Sequence, residues 1–384
     1  MKKILMTIAG ISLTCILATS AMAATQWNFG ASLRYATFWT EADFGKDRGS
    51  DIQGGGAGNL GSDGNLSWSK QGNSRFKAFM KSDQLEGYIE MGLDYDNNNR
   101  VYTRQYWGKY KFNDNFAIQI GQMDHLFTTI GLSNQVWSND IAMHGIGTSH
   151  ASETPGIVLR YGGFSFGMFK PYDGRFEASN TDIDSYLPQL QASYQYRGDA
   201  WRFKLSGAYQ HLAMNDFNGG TKDRDIHSWL VAADGDMYFG PLYLAGTVSV
   251  GQNWADARWN TNSSIADKYA QNKTFDWFGA LPNTNNKVED TTSVMAAFIV
   301  GYQLTEDLRF EGGFGYRYDD NDMYDDASHI FNGYLQARYY FAPGFFIAPE
   351  VGYIDLGDTH GIASGKSRDA GYIWYAGAQW RMDF

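Results

Sequence analysis

The last eleven residues, Trp374 to Phe384, confine the fold more tightly than any other stretch of the chain. Trp374, Ala376, Ala378, Trp380, Met382 and Phe384 are apolar, while Gly377, Gln379, Arg381 and Asp383 between them are small or polar. Side chains alternate between the two faces of a β-strand, so this segment has one apolar and one wet face. Its length matches the ~9–11 residues with which a tilted strand crosses a bilayer. The edge strand of a soluble sandwich is the competing reading, and the clean alternation over this length favours a barrel. A terminal strand that faces lipid on one side must close on another strand.

The N-terminus reads as an export signal. Lys2 and Lys3 precede an apolar run from Ile4 to Ala18, and Ala21-Met22-Ala23 offers small residues at the positions a signal peptidase reads. Cleavage is expected after Ala23, leaving residues 24–384 as one transmembrane barrel domain. A retained anchor is disfavoured, because the run is shorter than the ~20 residues a spanning helix needs. Cys15 is the only cysteine and would leave with the signal; Ser12-Leu13-Thr14 before it lacks the small residue of a lipidation site. No disulfide or metal–thiolate chemistry is then expected.

The chain has 31 basic against 42 acidic residues, which argues against nucleic acid as a partner. Aromatic residues reach 16%, with 25 Tyr, 25 Phe and 12 Trp, enough to supply two interfacial girdles. Hydrophobic residues are only 43%, as suits a barrel in which every second strand residue avoids lipid.

Alternating segments recur from residue 26 onward. We read strands at 26–40, 65–81, 85–96, 100–112, 116–123, 155–161, 164–172, 187–197, 201–213, 227–239, 242–254, 290–303, 308–319, 328–340, 345–355 and 370–384. Boundaries carry a margin of about two to four residues, and fourteen or eighteen strands also remain open. Connections alternate between short turns, such as Gly162-Gly163 and Gly240-Pro241, and long loops; 97–99 is the exception. The predicted fold is therefore all-β: a 16-stranded antiparallel transmembrane barrel with short periplasmic turns and long extracellular loops. About sixteen strands leave an aqueous channel, whereas eight fill with side chains.

The third long connection, 124–154, carries Trp137, Ile141, Met143 and Ile146. A loop of this length is normally functional or disordered, and these anchors suggest packing against the inner wall. Folded inward, it would bring Asp124, Asp140 and Glu153 into the pore; lying across the outside as a cap is the alternative. Parity places Arg34, Arg75, Lys77, Lys81, Arg160, Arg202, Lys204 and Arg381 inward, along with Glu90 and Asp94. Arg104 is expected there too, although Tyr106 and Trp107 blur its register. For any one of these charges, hydrating a polar lumen is the simpler role. Together, a basic wall facing acids on an inward loop would set a transverse field that biases which ions pass.

Arg75-Phe76-Lys77, Thr103-Arg104 followed by Gly108, and Gly121-Gln122 leading into the long third connection resemble the general trimeric porins of Gram-negative bacteria. With its Trp27-Asn28-Phe29-Gly30 start, the layout is most similar to the homotrimeric porins of sulfate-reducing bacteria. The resemblance implies a homotrimer in the outer membrane among lipid and lipopolysaccharide, with three pores for small hydrophilic solutes and no cofactor. It also implies that Phe384 serves as an assembly signal. The Pro-Glu-Phe-Gly-Gly-Asp loop tip of the enterobacterial members is absent, and the short 97–99 connection cannot form their long second-loop latch. Gly30, Ala36 and Ala376 to Ala378 are candidates for a flat subunit-facing sector.

Other chemistry is weaker. His125, His144 and His150 share one loop but not a ligand spacing. The carboxylates from Asp319 to Asp326 could hold Ca²⁺ but read more simply as a solvated loop. No G-x-S-x-G elbow marks a hydrolase. A selective sugar channel would show an aromatic track, for which Phe79, Tyr88 and Tyr375 are the candidates. A diffusion porin, a sugar- or anion-selective channel, and a barrel enzyme or adhesin are the three readings carried forward.

Overall fold

The computed structural model describes residues 25–43, 63–93, 101–130, 133–173, 182–215, 223–260, 279–282, 288–323, 326–360 and 367–384. The expected signal segment with Cys15, Asp94, Asp325 and most of the remaining long connections lie outside the described residues.

The main sheet contains eighteen segments. Two pairs of them are single strands with an interruption, which leaves sixteen strands. In chain order these are β1 (Gln26–Asp43), β2 (Asp63–Lys70 continuing as Arg75–Lys81), β3 (Leu85–Leu93), β4 (Val101–Lys111) and β5 (Phe116–Met123). They continue as β6 (Thr154–Tyr161), β7 (Phe164–Phe169), β8 (Asp182–Asp184 continuing as Gln189–Arg197), β9 (Trp201–Asn215) and β10 (Arg224–Phe239). The last six are β11 (Leu242–Gln252), β12 (Thr291–Gln303), β13 (Leu308–Asn321), β14 (Ser328–Ala342), β15 (Phe345–Asp355) and β16 (Tyr372–Asp383). Each pairs antiparallel with its neighbours in sequence. β16 then pairs with β1 from Ser32↔Asp383 to Asp43↔Tyr372, closing the cylinder. Phe384 completes the seam, its N–H donating to Ala31 O at 3.0 Å and its carbonyl accepting from Ala31 N–H at 2.6 Å.

Turn chemistry follows the sequence. Gly162 and Gly240 open two-residue hairpins at φ 55° and 56°, a left-handed conformation that glycine adopts without a Cβ clash. Asn113 Oδ1 accepts from the N–H groups of Asn115 and Phe116 at 2.9 Å, capping the turn before β5.

The two faces invert the usual distribution of polarity. Outward positions carry exposed Leu33, Ile89, Ile157, Leu205, Val248, Phe298 and Leu335, the last 68% exposed. Near the short turns the outer face turns aromatic, with Tyr110 against Phe112, Tyr196 against Trp201 and Phe341 against Phe345 at centroid separations of 4.9–5.0 Å. Tyr353 and Trp374 meet at a tilt, 4.6 Å between centroids, toward the other end. Buried positions between them are polar: Ser32, Arg34, Thr40, Glu90, Gln119, Gln191, Ser193 and Gln379. An apolar belt bounded by aromatic girdles around a polar interior is the surface pattern that bilayer hydrocarbon requires.

Several sequence expectations need correction. The strand read as 65–81 breaks at Gln71–Ser74, where four residues of β2 face only Leu33 and Arg34 of β1 between the pairs Ser32↔Arg75 and Tyr35↔Lys70. The strand read as 242–254 ends at Gln252, and Trp254–Ala257 coil into a 3-10 turn. Gly30 and Ala36 are not on the outer sector: both share the inward parity of Ser32 and Arg34, Gly30 lies opposite the inward Lys77, and Ala36 is buried. Tyr375 is buried under Trp137 at 4.4 Å and offers no face to an open aromatic track.

The belt makes a direct prediction. Leu335→Arg, on the outward face of β14, should destabilise the membrane-inserted barrel by about 2–4 kcal/mol, read from equilibrium refolding into lipid vesicles. An unchanged midpoint would place residue 335 outside the hydrocarbon.

Candidate functional site

The segment between β5 and β6 crosses to the far wall and returns. Its outbound arm meets inward side chains in barrel order. Leu126 N–H donates to Gln191 Oε1 on β8 at 2.9 Å, Thr128 O accepts from Lys204 on β9, and Ile130 N–H donates to Asp234 on β10 at 2.5 Å. Asn134 N–H then donates to Glu311 on β13 at 2.6 Å. The N–H groups of Val136 and Trp137 donate to the two oxygens of Glu350 on β15, at 2.7 and 3.0 Å. The return arm is held by Asn332 on β14 at Ala142 O, 2.6 Å, and by Arg317 on β13 at Gly145 O, 2.9 Å.

Apolar packing completes the docking. Trp137 stacks on Tyr375 within a buried cluster that includes Phe38, Val136, Ile146 and Ile354. Phe127 joins Trp254 and Trp259, and Met143 joins Tyr243 and Tyr334. Burying a side chain of this size contributes roughly 1.5–3 kcal/mol, so these anchors hold a segment that has almost no secondary structure of its own.

The interrupted stretch of β2 receives the tip. Gln71 Nε2 donates to Val136 O at 2.8 Å, Asn73 Nδ2 to Asn139 O at 2.6 Å, and Gly72 N–H to Asn139 Oδ1 at 2.9 Å. Ser138, Asn139 and Asp140 all take left-handed φ values of 53–65°. Such conformations are strained for non-glycine residues and persist only where surrounding contacts over-determine them.

This fold brings most of the expected charges together. Arg34 forms an ion pair with Asp140, whose other oxygen accepts from Gln379 at 2.7 Å. Glu90 on β3 gathers Arg75 at 3.0 Å, Arg104 at 2.7 Å and Lys77 at 3.7 Å, and accepts from the Tyr88 hydroxyl at 2.7 Å. Arg104 also reaches Glu153 on the returning segment at 2.6 Å. Its inward aim has a specific cause. Glu90 pairs with Gln105 and Met91 with Thr103, so Arg104 is the extra residue of a β-bulge, a feature that re-aims a side chain.

The remaining candidates sit differently. Asp124 accepts from Gln105 Nε2 at 3.0 Å rather than from a wall cation. Arg160 donates to Gln119 at 2.9 Å and Ser165 at 3.1 Å and stands apart from the cluster. Arg202 and Lys204 pair with Asp236 and Asp234, and Arg381 with Asp383. Phe384 is 79% exposed on the apolar face at the seam. Lys77 is the most open cation of the Arg34–Arg104 wall, with 43% of its side chain accessible.

Burial shifts the ionisation of the inserted segment. It raises the carboxyls of Asp124 and Glu153 above the usual range, although Arg104 opposes the shift at Glu153. It lowers His125 to about 3 and His150 to about 4, and takes His144 well below its ordinary value. The His125 ring lies between Gln191 Nε2, 2.5 Å from its Nδ1, and the Thr154 hydroxyl, 3.0 Å from its Nε2. His144 and His150 stack at 4.1 Å. Among the described residues no group of three His, Cys, Asp or Glu could hold a metal ion.

Sequence reading missed the partners that matter most for docking, namely Asp234, Glu311, Glu350 and the Gln71–Ser74 interruption. The available signal was isolated carboxylates at inward parity on strands far from the loop.

No protein-family model matches the chain, and no curated protein matches it. Solved structures do. The chain is similar to the outer-membrane channel DcaP of Acinetobacter baumannii, with 14% identity, a TM-score of 0.65, and 95% of this chain and 99% of that one covered. It is also similar to an anion-selective porin from Comamonas acidovorans, with 11% identity, a TM-score of 0.57, and 94% and 100% covered. OmpT, an outer-membrane protein of Vibrio cholerae solved in a trimer form, matches at 13% identity and a TM-score of 0.53 over 94% and 100%. At these identities the likeness establishes the fold: the closed sixteen-stranded barrel of the outer-membrane porins.

The buried imidazoles set a pH dependence. Their folded pKa values lie below the unfolded value near 6.5, so the unfolded chain binds more protons below that pH. Stability should be full above pH 6.5 and fall as pH drops toward 4. The urea refolding midpoint should follow this curve, and His150→Gln should flatten it. The raised carboxyls of Asp124 and Glu153 act in the opposite sense, so the difference between the two proteins is the test: a pH dependence identical in wild type and His150→Gln would contradict the burial of this ring.

Proposed function

We propose that the protein is an outer-membrane porin, a water-filled channel for passive diffusion of ions and small hydrophilic solutes. The observation that carries this reading is a sixteen-stranded cylinder whose interior is lined by ionised and hydrogen-bonding groups and partly filled by one inserted segment. Barrels of this strand number enclose an aqueous path. The mature chain begins at Ala24, the short turns face the periplasm, and the barrel sits as a homotrimer among outer-membrane lipid and lipopolysaccharide. Its layout follows the homotrimeric porins of sulfate-reducing bacteria, it performs no catalysis, and Phe384 acts as its assembly signal.

The constriction lies where the inserted segment approaches β1–β4. Charges are screened over about 8–10 Å at physiological salt, so only groups at the narrowest point discriminate ions. There Arg75, Lys77 and Arg104 face Glu90, Glu153 and Asp124, while Arg34 and Asp140 neutralise each other. The charges balance in number, and Lys77 is the cation most open to a passing ion. Selection by such a wall resembles that of other charged pore linings.

Replacing Arg75 and Lys77 with Gln leaves Arg104 against three carboxylates and makes the local charge negative. The reversal potential of single channels in a salt gradient should then move toward cations, and removal of residues 134–146 should enlarge conductance. Unchanged values after that deletion would remove the segment from the pore. Light scattering in mild detergent should report a trimer, and Phe384→Ser should lower outer-membrane levels without altering conductance. A monomer at every concentration would overturn the assembly. A channel selective for organic anions is the second reading, favoured by a cavity lined by Arg160, Arg197 and Lys204.

A further inference from the structure

On the short-turn side of the inserted segment, a cavity of about 390 Å³ opens between Asp124–Leu126, Ile130 and the inner faces of β6 to β9. It lies on different strands from the Arg34–Arg104 wall. Its basic lining is Arg160, Arg197 and Lys204, with Asp124 as the single acid. Lys204 already has a counter-ion in Asp234 at 3.6 Å.

Arg160 is the anomaly. Arg34, Arg75, Arg104, Arg202, Arg309 and Arg317 each reach a carboxylate. Arg338 lies over the Phe346 ring at 4.6 Å. Arg160 has neither. Its guanidinium spends Nε on the Gln119 carbonyl and one terminal nitrogen on the Ser165 hydroxyl, both neutral acceptors. Among the described residues no carboxylate pairs with it or with Arg197, which lies at the exposed end of β8. Removing a cation from bulk water without a counter-ion is unfavourable, and an entering anion relieves that cost. The planar fork of a guanidinium matches a carboxylate in two parallel hydrogen bonds. Ser165, Ser193 and Gln195 add hydroxyl and amide groups to the same lining, the donors and acceptors that hydroxyl groups on a ligand would use.

We propose that this cavity is a binding station for small hydroxylated carboxylates, such as hydroxy acids and sugar acids, with Arg160 as the carboxylate clamp. The proposal rests on the channel reading and adds a ligand class and a position to it. Occupancy would slow each such solute between the constriction and the short-turn mouth, making its flux saturable while chloride flux is not.

The test uses the full-length protein in planar bilayers, with gluconate as the probe against a potassium chloride current. Gluconate should reduce the current saturably, whereas mannitol, which lacks the carboxylate, and inorganic phosphate, which lacks the carbon-bound hydroxyls, should do so far more weakly. Arg160→Gln should raise the half-blocking gluconate concentration about tenfold or more, the loss expected for one charge-assisted pair. Arg160→Lys, which keeps the charge but not the fork, should fall between the two. Each variant is scored as a fraction of its own open current, after heat-dependent gel mobility shows it folded. Should Arg160→Gln fail to fold, Ser165→Ala and Arg197→Gln serve instead, each with a smaller rise. Equal block by phosphate would overturn the ligand class. Unsaturable gluconate flux, or block unchanged in every variant, would overturn the site while leaving the channel intact. Absence of any conductance would overturn the channel reading itself.

Discussion

Closure of the sheet between β1 and β16 is the constraint on which the rest of the molecule depends. Hydrocarbon offers no partner to a backbone N–H or C=O, so a spanning sheet can have no open edge. The register from Ser32↔Asp383 to Asp43↔Tyr372 removes that edge, and the paired amides of Ala31 and Phe384 finish it. Once the cylinder is closed, every strand must divide its side chains between lipid and lumen. Lys204 and Leu205, adjacent in β9, then occupy opposite environments, one nearly inaccessible and ion-paired, the other exposed to the belt.

The interior thereby acquires a surplus of polar groups that need partners, and the inserted segment supplies many of them. Asp234, Glu311 and Glu350 bind its backbone N–H groups, which a segment without regular secondary structure leaves unpaired. A carboxylate held by two backbone amides and Gln336, as Glu350 is, needs no cationic neighbour. Cations elsewhere on the wall meet acids directly. Lys77, ion-paired with Glu90, is the most open of those beside the inserted segment, whereas Arg160 reaches only the neutral acceptors Gln119 and Ser165.

Strand number and facing were legible because they rest on a period of two within each segment. The sixteen strands read from alternation reappear with ends displaced by a few residues, and Arg34, Arg75, Arg160 and Lys204 lie on the side their neighbours imply. Irregularity was not legible. A β-bulge at Arg104 and the break at Gln71–Ser74 each interrupt the period locally, and each has a role that alternation does not encode. Gly30 and Ala36 were placed on the wrong face because small size was given more weight than parity.

The chain's alternation and turn residues by themselves determined an all-β barrel with a polar lumen, since both are local properties of neighbouring residues. Which charges meet was decided only by the tertiary structure. Arg34 and Asp140 are separated by 106 residues, Asn134 and Glu311 by 177, and Gln135 and Tyr375 by 240. Contacts at such separations depend on the path of one inserted segment across the lumen, and that path follows from how its apolar anchors fit the wall. No periodicity in the sequence carries that fit.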